Sequence, residues 1–193
     1  MYEYIKGAIS GLTPAGVVVE TAGIGYFLHI SVNTYSRING HEQSKLFLHQ
    51  VVREDAHLLY GFADQDERDF FRMLISVNGI GASIAIMILS SYLPEDLREA
   101  ILKENVNLLK SIKGIGAKTA QRVIIDLKDK VGKSPATDKI FRTGNSIVRN
   151  EALSALEMLG FNKKAVESSV DQILAAKPDL TVEQLLKIAL KSF

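Results

Sequence analysis

The chain of 193 residues contains no cysteine and no tryptophan, and it has only four prolines. Without cysteine there can be no disulfide framework, no thiolate metal site and no cysteine nucleophile. No stretch stays apolar for the roughly 18 residues that a membrane-spanning helix needs. The N-terminal segment is interrupted by Glu3, Lys6 and Gly7, so it does not resemble a secretory signal peptide. We therefore expect a cytoplasmic protein without membrane association.

Motifs for nucleotide binding and for hydrolytic catalysis are missing as well. A phosphate-binding loop of the form GxxxxGK[ST] would need glycine at the positions of Ile112 and Ala117. No serine stands in a GxSxG context, and the histidines match no HExxH spacing. The four histidines, which we assign to the N-terminal barrel, are His29, His41, His49 and His57. The sequence thus predicts no catalytic residue, no metal site and no cofactor.

Charge is nearly balanced over the whole chain but is concentrated in one segment. The formal net charge is +1. Residues 64–108 hold four basic and eight acidic side chains, whereas residues 109–133 hold seven basic and two acidic ones. A short basic stretch in an otherwise neutral chain is typical of a surface that binds a polyanion such as nucleic acid.

The first third of the chain has the pattern of a small β-barrel. Short apolar runs such as Val17–Val19 and Tyr26–Ile30 alternate with turn residues such as Gly23 and Asn39-Gly40. A closed barrel leaves no open sheet edge. The pattern therefore predicts a five-stranded OB-type barrel over residues 1–63.

The remaining two thirds have helical periodicity, interrupted once by a polar stretch. We expect an all-α domain over residues 64–131 and a Gly/Pro-punctuated flexible linker over 132–145. Residues 146–193 contain three helical patterns and predict a small UBA-like domain. A tethered unit of this size indicates a docking module, although an ordinary small domain without a partner remains an alternative. The predicted fold class is α+β and multidomain.

The helical segment contains an internal repeat with an offset of 35 residues. Leu74–Ala85 aligns with Leu109–Ala120, and seven of the twelve aligned positions are identical. Each copy places Gly-Ile-Gly between the end of one helix and the start of the next. Glycine permits a tight reversal there, and we expect Ile80 and Ile115 to turn inward. The repeat predicts a tandem helix-hairpin-helix domain.

The two hairpins predict a binding site for the DNA backbone. The first amides of a helix that follows glycine are free and unshielded by a Cβ atom, which favours a phosphate. Such contacts fix position rather than base sequence. The basic residues all flank the second hairpin, so we expect the second to anchor the backbone and the first to set orientation. The candidate residues are Asn78, Gly79, Gly81, Ser83, Lys113, Gly114, Gly116, Lys118, Thr119 and Arg122.

The order of these features resembles the RuvA family of bacterial Holliday junction binding proteins. The resemblance rests on Lys6-Gly7, Gly23-Ile24-Gly25-Tyr26, the segment from Val51 to Phe62, both hairpins, the linker and the helical tail. It implies a homotetramer, alone or stacked on a second one, that holds open a four-way DNA junction. It also implies that residues 146–193 bind the RuvB motor ATPase, which hydrolyses ATP, and that the RuvC nuclease resolves the junction.

The resemblance assigns roles to residues outside the second hairpin as well. Glu54 and Asp55 lie in a turn between two predicted strands; alone, such a turn is usually only solvated. In the family the matching carboxylates form an acidic pin that repels duplex DNA from the junction centre. Family members often carry a lysine near the position of Ser83, so the first hairpin contributes little charge here. Candidate contacts to the motor, unless they form the domain's own core, are Leu153, Leu156 and Leu186.

Three functions compete at this point. The first is a non-catalytic subunit that binds the junction and recruits a motor. The second is a DNA glycosylase or structure-specific nuclease that holds its substrate with the same hairpins, and the third is a general duplex-binding module. The enzyme would need a catalytic acid or a metal cluster near the hairpins. Adjacent Glu54 and Asp55 without a third ligand make a poor metal site, so the sequence favours the first function.

Overall fold

The computed structural model describes residues 2–131, 144–177 and 179–192 of the chain. Its internal contacts divide the chain into two compact units, residues 1–133 and 134–193. The predicted linker, residues 132–145, lies outside the described residues except for Gly144 and Asn145. Those two residues already belong to a helix, which begins two residues before the predicted start of the C-terminal domain.

The N-terminal part of the first unit is a closed five-stranded barrel, as the sequence predicted. The strand order around the barrel is β1-β2-β3-β5-β4, and β4 pairs with β1 to close it. β3 and β5 are parallel, and the other neighbours are antiparallel. The strands are β1 Tyr4–Thr13, β2 Gly16–Thr21, β3 Ile24–His29, β4 Gln43–Val52 and β5 His57–Phe62.

Alternation along the strands fills the barrel with aliphatic side chains. Val17 and Val19 on β2, Leu28 on β3 and Leu46 on β4 are fully buried, because every second residue of a strand points to the same face. The apolar runs in the sequence did not predict where β1 begins and ends. This strand needs a glycine at Gly7, near its centre. A Cβ atom on Gly7 would lie 2.1 Å from the carbonyl oxygen of residue 20 on β2.

A short helix, α1 (Val32–Ile38), follows β3 and was not predicted from the sequence. Its composition is poor for a helix, since Val32 and Thr34 are β-branched and Asn33 favours turns. Tertiary contacts stabilise it instead. Ser31 caps its N-terminus by accepting a hydrogen bond from the backbone N–H of Thr34 at 2.9 Å. The helix is therefore specified by what it contacts rather than by its own propensity.

The helical part of the first unit shares its core with the barrel. Phe71 packs against Tyr60 and Phe62 of β5, with ring centroids 5.1 and 5.0 Å apart. Phe70 and Leu74 extend the same buried cluster towards the hairpins. The barrel and the hairpin helices are thus parts of one packed body. These helices are α2 Gln65–Ile75, α3 Ala82–Ser91, α4 Pro94–Leu102, α5 Val106–Lys110 and α6 Ala117–Val131.

A buried carboxylate joins α1 to α2. Glu67, in the first turn of α2, accepts hydrogen bonds from the Ser31 hydroxyl and from the Thr34 hydroxyl, the latter at 2.6 Å. Thr34 Oγ1 in turn accepts the backbone N–H of Ala63 at 3.0 Å. Burial raises the pKa of Glu67 above its usual value, although the two hydroxyl donors oppose the shift.

The described residues of the second unit form three helices, as predicted: α7 Gly144–Met158, α8 Lys163–Ala176 and α9 Val182–Ala189. Its own core includes Val166 and Val170 of α8 and Leu185 of α9. Thr181 and Gln184 form a reciprocal capping box at the start of α9. In the part of the chain that the structure describes, no helix is both long and apolar enough to cross a membrane.

Candidate nucleic-acid interface

The two hairpins have the same backbone hydrogen bonds at matching positions. In the first, the amide of Ile80 donates to the carbonyl of Val77 at 3.0 Å; in the second, Ile115 donates to Ile112 at 3.1 Å. Each serine that ends the preceding helix also donates its hydroxyl to a carbonyl three residues earlier, at 2.7 Å in both copies. The sequence repeat is therefore also a structural repeat.

The first glycine of each hairpin makes the reversal. Gly79 has φ +96° and Gly114 has φ +92°. Residues that carry a Cβ atom rarely adopt this backbone conformation. Ile80 and Ile115, which follow them, are each only 5% exposed and belong to the shared core. This agrees with the prediction that both isoleucines turn inward.

The second glycine of each hairpin starts a helix and leaves its amides accessible. Gly81 caps α3 with φ −87° and ψ 168°, and no side chain accepts a hydrogen bond from the first turn. A Cβ atom added at Gly81 or at Gly116 would meet no atom within 4 Å. Neither glycine is therefore required by the fold, and both are exposed.

A cleft of 460 Å³ brings residues of both hairpins together. Asn78 and Gly79 of the first hairpin face Lys118, Thr119 and Arg122 of α6 across it. These are five of the ten residues predicted for the DNA backbone site. The other five, which are exposed but do not line this cleft, are Gly81, Ser83, Lys113, Gly114 and Gly116.

The cleft also contains three residues that the sequence reasoning missed, namely Gln121, Ile125 and Asp126 of α6. Their spacing from Lys118 and Arg122 is three or four residues, which places them on the same face of the helix. Ile125 is 75% exposed. The helical spacing could have identified this face, but the assignment by residue type alone favoured the basic side chains.

The basic residues around the second hairpin are exposed and carry uncompensated charge. Among the residues that the structure describes, the following form no ion pair: Lys110, Lys113, Lys118 and Arg122. Further along α6, Lys128 contacts Glu104, and its ammonium group holds the pKa of that carboxyl below the usual value. On α6, the charges of Lys118 and Arg122 beside the hairpin are thus available to a ligand, whereas that of Lys128 is paired.

Arginines of the preceding helices are instead paired inside the protein. Arg68 is almost completely buried and contacts Glu3 and Asp69, the latter at 3.2 Å. Arg98 forms a two-pronged contact with Asp66, with one N–O distance of 2.9 Å. These guanidinium groups connect helices to the barrel and to each other, so they do not contribute to the candidate interface.

Glu54 and Asp55 lie at the tip of the β4–β5 hairpin. The two strands pair from Phe47 opposite Phe62 to Val52 opposite His57, and the turn closes with a 2.8 Å hydrogen bond from residue 53 to residue 56. Both carboxylates are exposed. Val51 and Leu58, just below the tip, pack against the core of the hairpin helices. The acidic turn therefore stands on the same packed body as the hairpins.

Two of the four histidines, His29 and His49, take part in ring packing. The ring centroids of His29 and Phe27 are 5.1 Å apart, and those of His49 and Phe71 are 5.3 Å apart. Burial, followed by the charges of Arg72 and Arg68, lowers the pKa of His49. Across the described residues, no group of three or more acidic, histidine or cysteine side chains is arranged to hold a metal ion.

Two of the predicted motor contacts belong to the core of the second unit. Leu156 is fully buried and Leu153 is 8% exposed, and Leu186 packs against the same core. Their helical spacing indicated an apolar stripe, and that stripe forms the interior of the three-helix unit. The exposed apolar residues at the end of α7 are instead Met158 and Leu159, at 90% and 62%.

Three known family models match successive parts of the chain. Residues 1–61 match the RuvA N terminal domain, and residues 148–192 match the RuvA C-terminal domain. Residues 71–129, which contain both hairpins, match the SAM-like helix-hairpin-helix tandem.

Curated relatives match almost the whole chain. The protein named Holliday junction branch migration complex subunit RuvA is 48% identical in Christiangramia forsetii over 191 residues, with 99% of each chain covered. The protein of the same name in Bacteroides fragilis is 49% identical over 199 residues, again with 99% coverage of both chains. That of Porphyromonas gingivalis is 46% identical over 200 residues at the same coverage. The chain belongs to the RuvA family.

Proposed function

We propose that the protein is a non-catalytic subunit that binds four-way junction DNA through its two hairpins. The observation that carries the proposal is the cleft between them. It combines Asn78 and Gly79 of one hairpin with the uncompensated cations Lys118 and Arg122 beside the other. A phosphate in this cleft would meet the positive charges of Lys118 and Arg122 and the first turn of α6, where Lys118 and Thr119 lie. Contacts of this kind read backbone shape, not base sequence.

The acidic turn supplies the preference for a junction. Glu54 and Asp55 are exposed at the end of a pair of antiparallel strands, and neither carboxylate forms an ion pair within the described residues. Their charge repels phosphates that approach closely. An open junction offers a centre that is free of stacked duplex, and continuous duplex does not. The carboxylates therefore act on specificity and oppose the entry of duplex.

The assembly and its partners are also part of the proposal. We infer that four copies surround one face of the junction in the cytoplasm, and that a second tetramer can cover the opposite face. The C-terminal unit recruits the RuvB motor ATPase, which supplies ATP hydrolysis, and RuvC cleaves the junction. Its separate core supports a docking role. The proposed motor contacts are the exposed Met158 and Leu159 together with the partly buried Leu186.

Binding to matched substrates tests this function. We expect tighter binding to an immobile four-way junction than to a linear duplex of the same arm sequence, without cleavage or base release. Electrophoretic shifts or fluorescence anisotropy at several salt concentrations measure both affinities. Equal affinity for the two substrates would contradict the proposal in favour of a general duplex module. Strand cleavage by the protein alone would favour a nuclease.

Alanine in place of Gly81 or Gly116 tests the close approach of DNA to the helix ends. Both positions have room for a Cβ atom and neither has positive φ, so the melting temperature should fall by only a few degrees, mainly through the weaker N-cap that alanine provides. A methyl group there separates the phosphate from the amides, and we expect about fivefold weaker DNA binding for each substitution. Gly79→Ala serves as the contrast, because its φ of +96° makes that substitution destabilising. Unchanged affinity in both Gly81→Ala and Gly116→Ala would contradict phosphate binding at these amides.

A further inference from the structure

Three hydrogen bonds connect α1 of the barrel to the end of α3, the helix that leaves the first hairpin. The amide side chain of Asn33 donates to the carbonyl oxygens of Leu89 at 2.5 Å and Tyr92 at 3.2 Å. The backbone N–H of Val32 donates to the hydroxyl of Ser90 at 3.1 Å. We call this set of contacts the α1–α3 clasp.

The clasp satisfies groups that each helix would otherwise leave unpaired. Val32 is the first residue of α1, so its N–H has no partner within that helix. Leu89 lies in the last turn of α3, where carbonyl groups likewise lack an intrahelical donor. Each helix therefore supplies the missing partner for the other. Hydrogen bonds depend on direction as well as distance, so the clasp fixes the position of α3 more narrowly than apolar packing does.

The position of α1 is itself fixed from the other side. The buried carboxylate of Glu67 on α2 accepts hydrogen bonds from Ser31, the cap of α1, and from Thr34 in its first turn. A helix of seven residues thus contacts α2 through one set of polar groups and α3 through another. These two helices lead into the first hairpin and out of it.

We propose that the clasp positions the first hairpin relative to the acidic turn and thereby sets the preference for junction over duplex. The inference rests on the proposed function, in which the hairpins attract the backbone while Glu54 and Asp55 repel duplex. Attraction and repulsion discriminate between substrates only if they act at a fixed separation. Asn33 and Ser90 are positioning residues, since they act through α3 and lie outside the cleft.

Two pairs of matched substitutions test the clasp. Asn33→Ala and Ser90→Ala remove clasp contacts. Ser36→Ala and Ser91→Ala are their controls, because Ser36 donates only to the Val32 carbonyl within α1, and Ser91 only to the Met87 carbonyl within α3, both at 2.9 Å. We expect each clasp variant to lower the ratio of junction to duplex affinity about threefold, and each control to leave it unchanged.

A distance measurement separates positioning from simple loss of stability. Because the chain has no cysteine, spin labels can be placed at Val52→Cys near the acidic turn and Met87→Cys on α3, both exposed. Labelled chains are diluted with unlabelled ones so that distances within one chain dominate. Asn33→Ala should broaden the distance distribution, and Ser36→Ala should not.

The ratio of junction to duplex affinity and the width of the distance distribution together test the role of the clasp. A lower affinity ratio and a broadened distance in folded clasp variants support the proposal. A junction preference that persists in both clasp variants overturns it while leaving the proposed function intact. If Asn33→Ala does not fold, Ser90→Ala decides by the same ratio. A wild-type protein without junction preference overturns the clasp and the proposed function together, and the wild-type measurement alone reveals this.

Discussion

Replacing Lys118 and Arg122 together by alanine is expected to weaken binding to junction and duplex by about the same factor, on the order of 100-fold. Both side chains line the cleft between the hairpins, and neither is paired within the described residues. Their charge is therefore available to phosphates without first breaking a contact inside the protein. A hydrogen bond to a charged group contributes about 1.5 kcal/mol or more, so two lost contacts give this factor.

The salt dependence of DNA binding by the same variant shows whether the lost affinity came from contacts to phosphates. Each phosphate contact releases condensed counterions from the DNA, so the slope of log affinity against log salt should become shallower by about 1 for each side chain removed. Titrations at several salt concentrations measure the slope for both substrates. A loss confined to the junction would mean that the two residues read junction geometry rather than anchor the backbone.

A control with the same change of net charge comes from paired lysines. Lys103 contacts Glu99, and Lys128, which lies on the same helix as Lys118 and Arg122, contacts Glu104. Replacing Lys103 and Lys128 by alanine removes two positive charges that are already compensated. We expect a loss of less than about threefold, reflecting only the long-range field. An effect equal to that of the hairpin variant would show that net charge, and not the cleft, determines affinity.

The features predicted most accurately from the sequence are those that depend on one residue type at one position. Gly79 and Gly114 have positive φ because only glycine adopts it readily, and the glycine is visible in the sequence. The 35-residue repeat then gave both hairpins at once. The strands of the barrel were predictable for a similar reason, since alternating apolar runs between turn residues have few other solutions.

Features that depend on distant contacts were not predictable. Helix α1 exists because Glu67 and Ser90 satisfy its polar groups through contacts that span 33 and 58 residues of the chain. Which basic residues are free to bind a ligand also depends on distant contacts. The sequence does not distinguish Arg68, which is buried and paired, from Arg122, which is exposed and unpaired. The apolar stripe of α7 likewise identified the core rather than a partner surface.

The unequal charge of the two hairpins acquires a structural explanation from the cleft. The first hairpin lacks basic residues, yet Asn78 and Gly79 share a cleft with Lys118 and Arg122. One phosphate in this cleft would contact the backbone of the first hairpin and the cations beside the second. In the proposed function the two hairpins therefore act as one binding unit, and charge neutralisation does not require a lysine on the first.

Replacing Glu54 by glutamine and Asp55 by asparagine is expected to raise affinity for linear duplex about tenfold while leaving junction affinity within about twofold. Both substitutions keep the size and polarity of the side chains, so the turn closed between residues 53 and 56 should be preserved. Two charges at about 4 Å interact with roughly 1 kcal/mol in water. Removing both carboxylates therefore removes enough repulsion to produce this change, and the preference for junction falls accordingly.

The matched control neutralises two carboxylates elsewhere on the same barrel. Glu20 on β2 and Glu42 before β4 are exposed, so Glu20→Gln with Glu42→Gln changes the net charge by the same amount away from the turn. We expect little change in discrimination for this control. Higher ionic strength should shrink the difference between wild type and the Glu54/Asp55 variant, because salt screens repulsion between exposed charges. If duplex affinity rises equally in both variants, overall charge and not the acidic turn limits duplex binding. If it rises in neither, the carboxylates do not approach the DNA and junction preference must come from the placement of the hairpins alone.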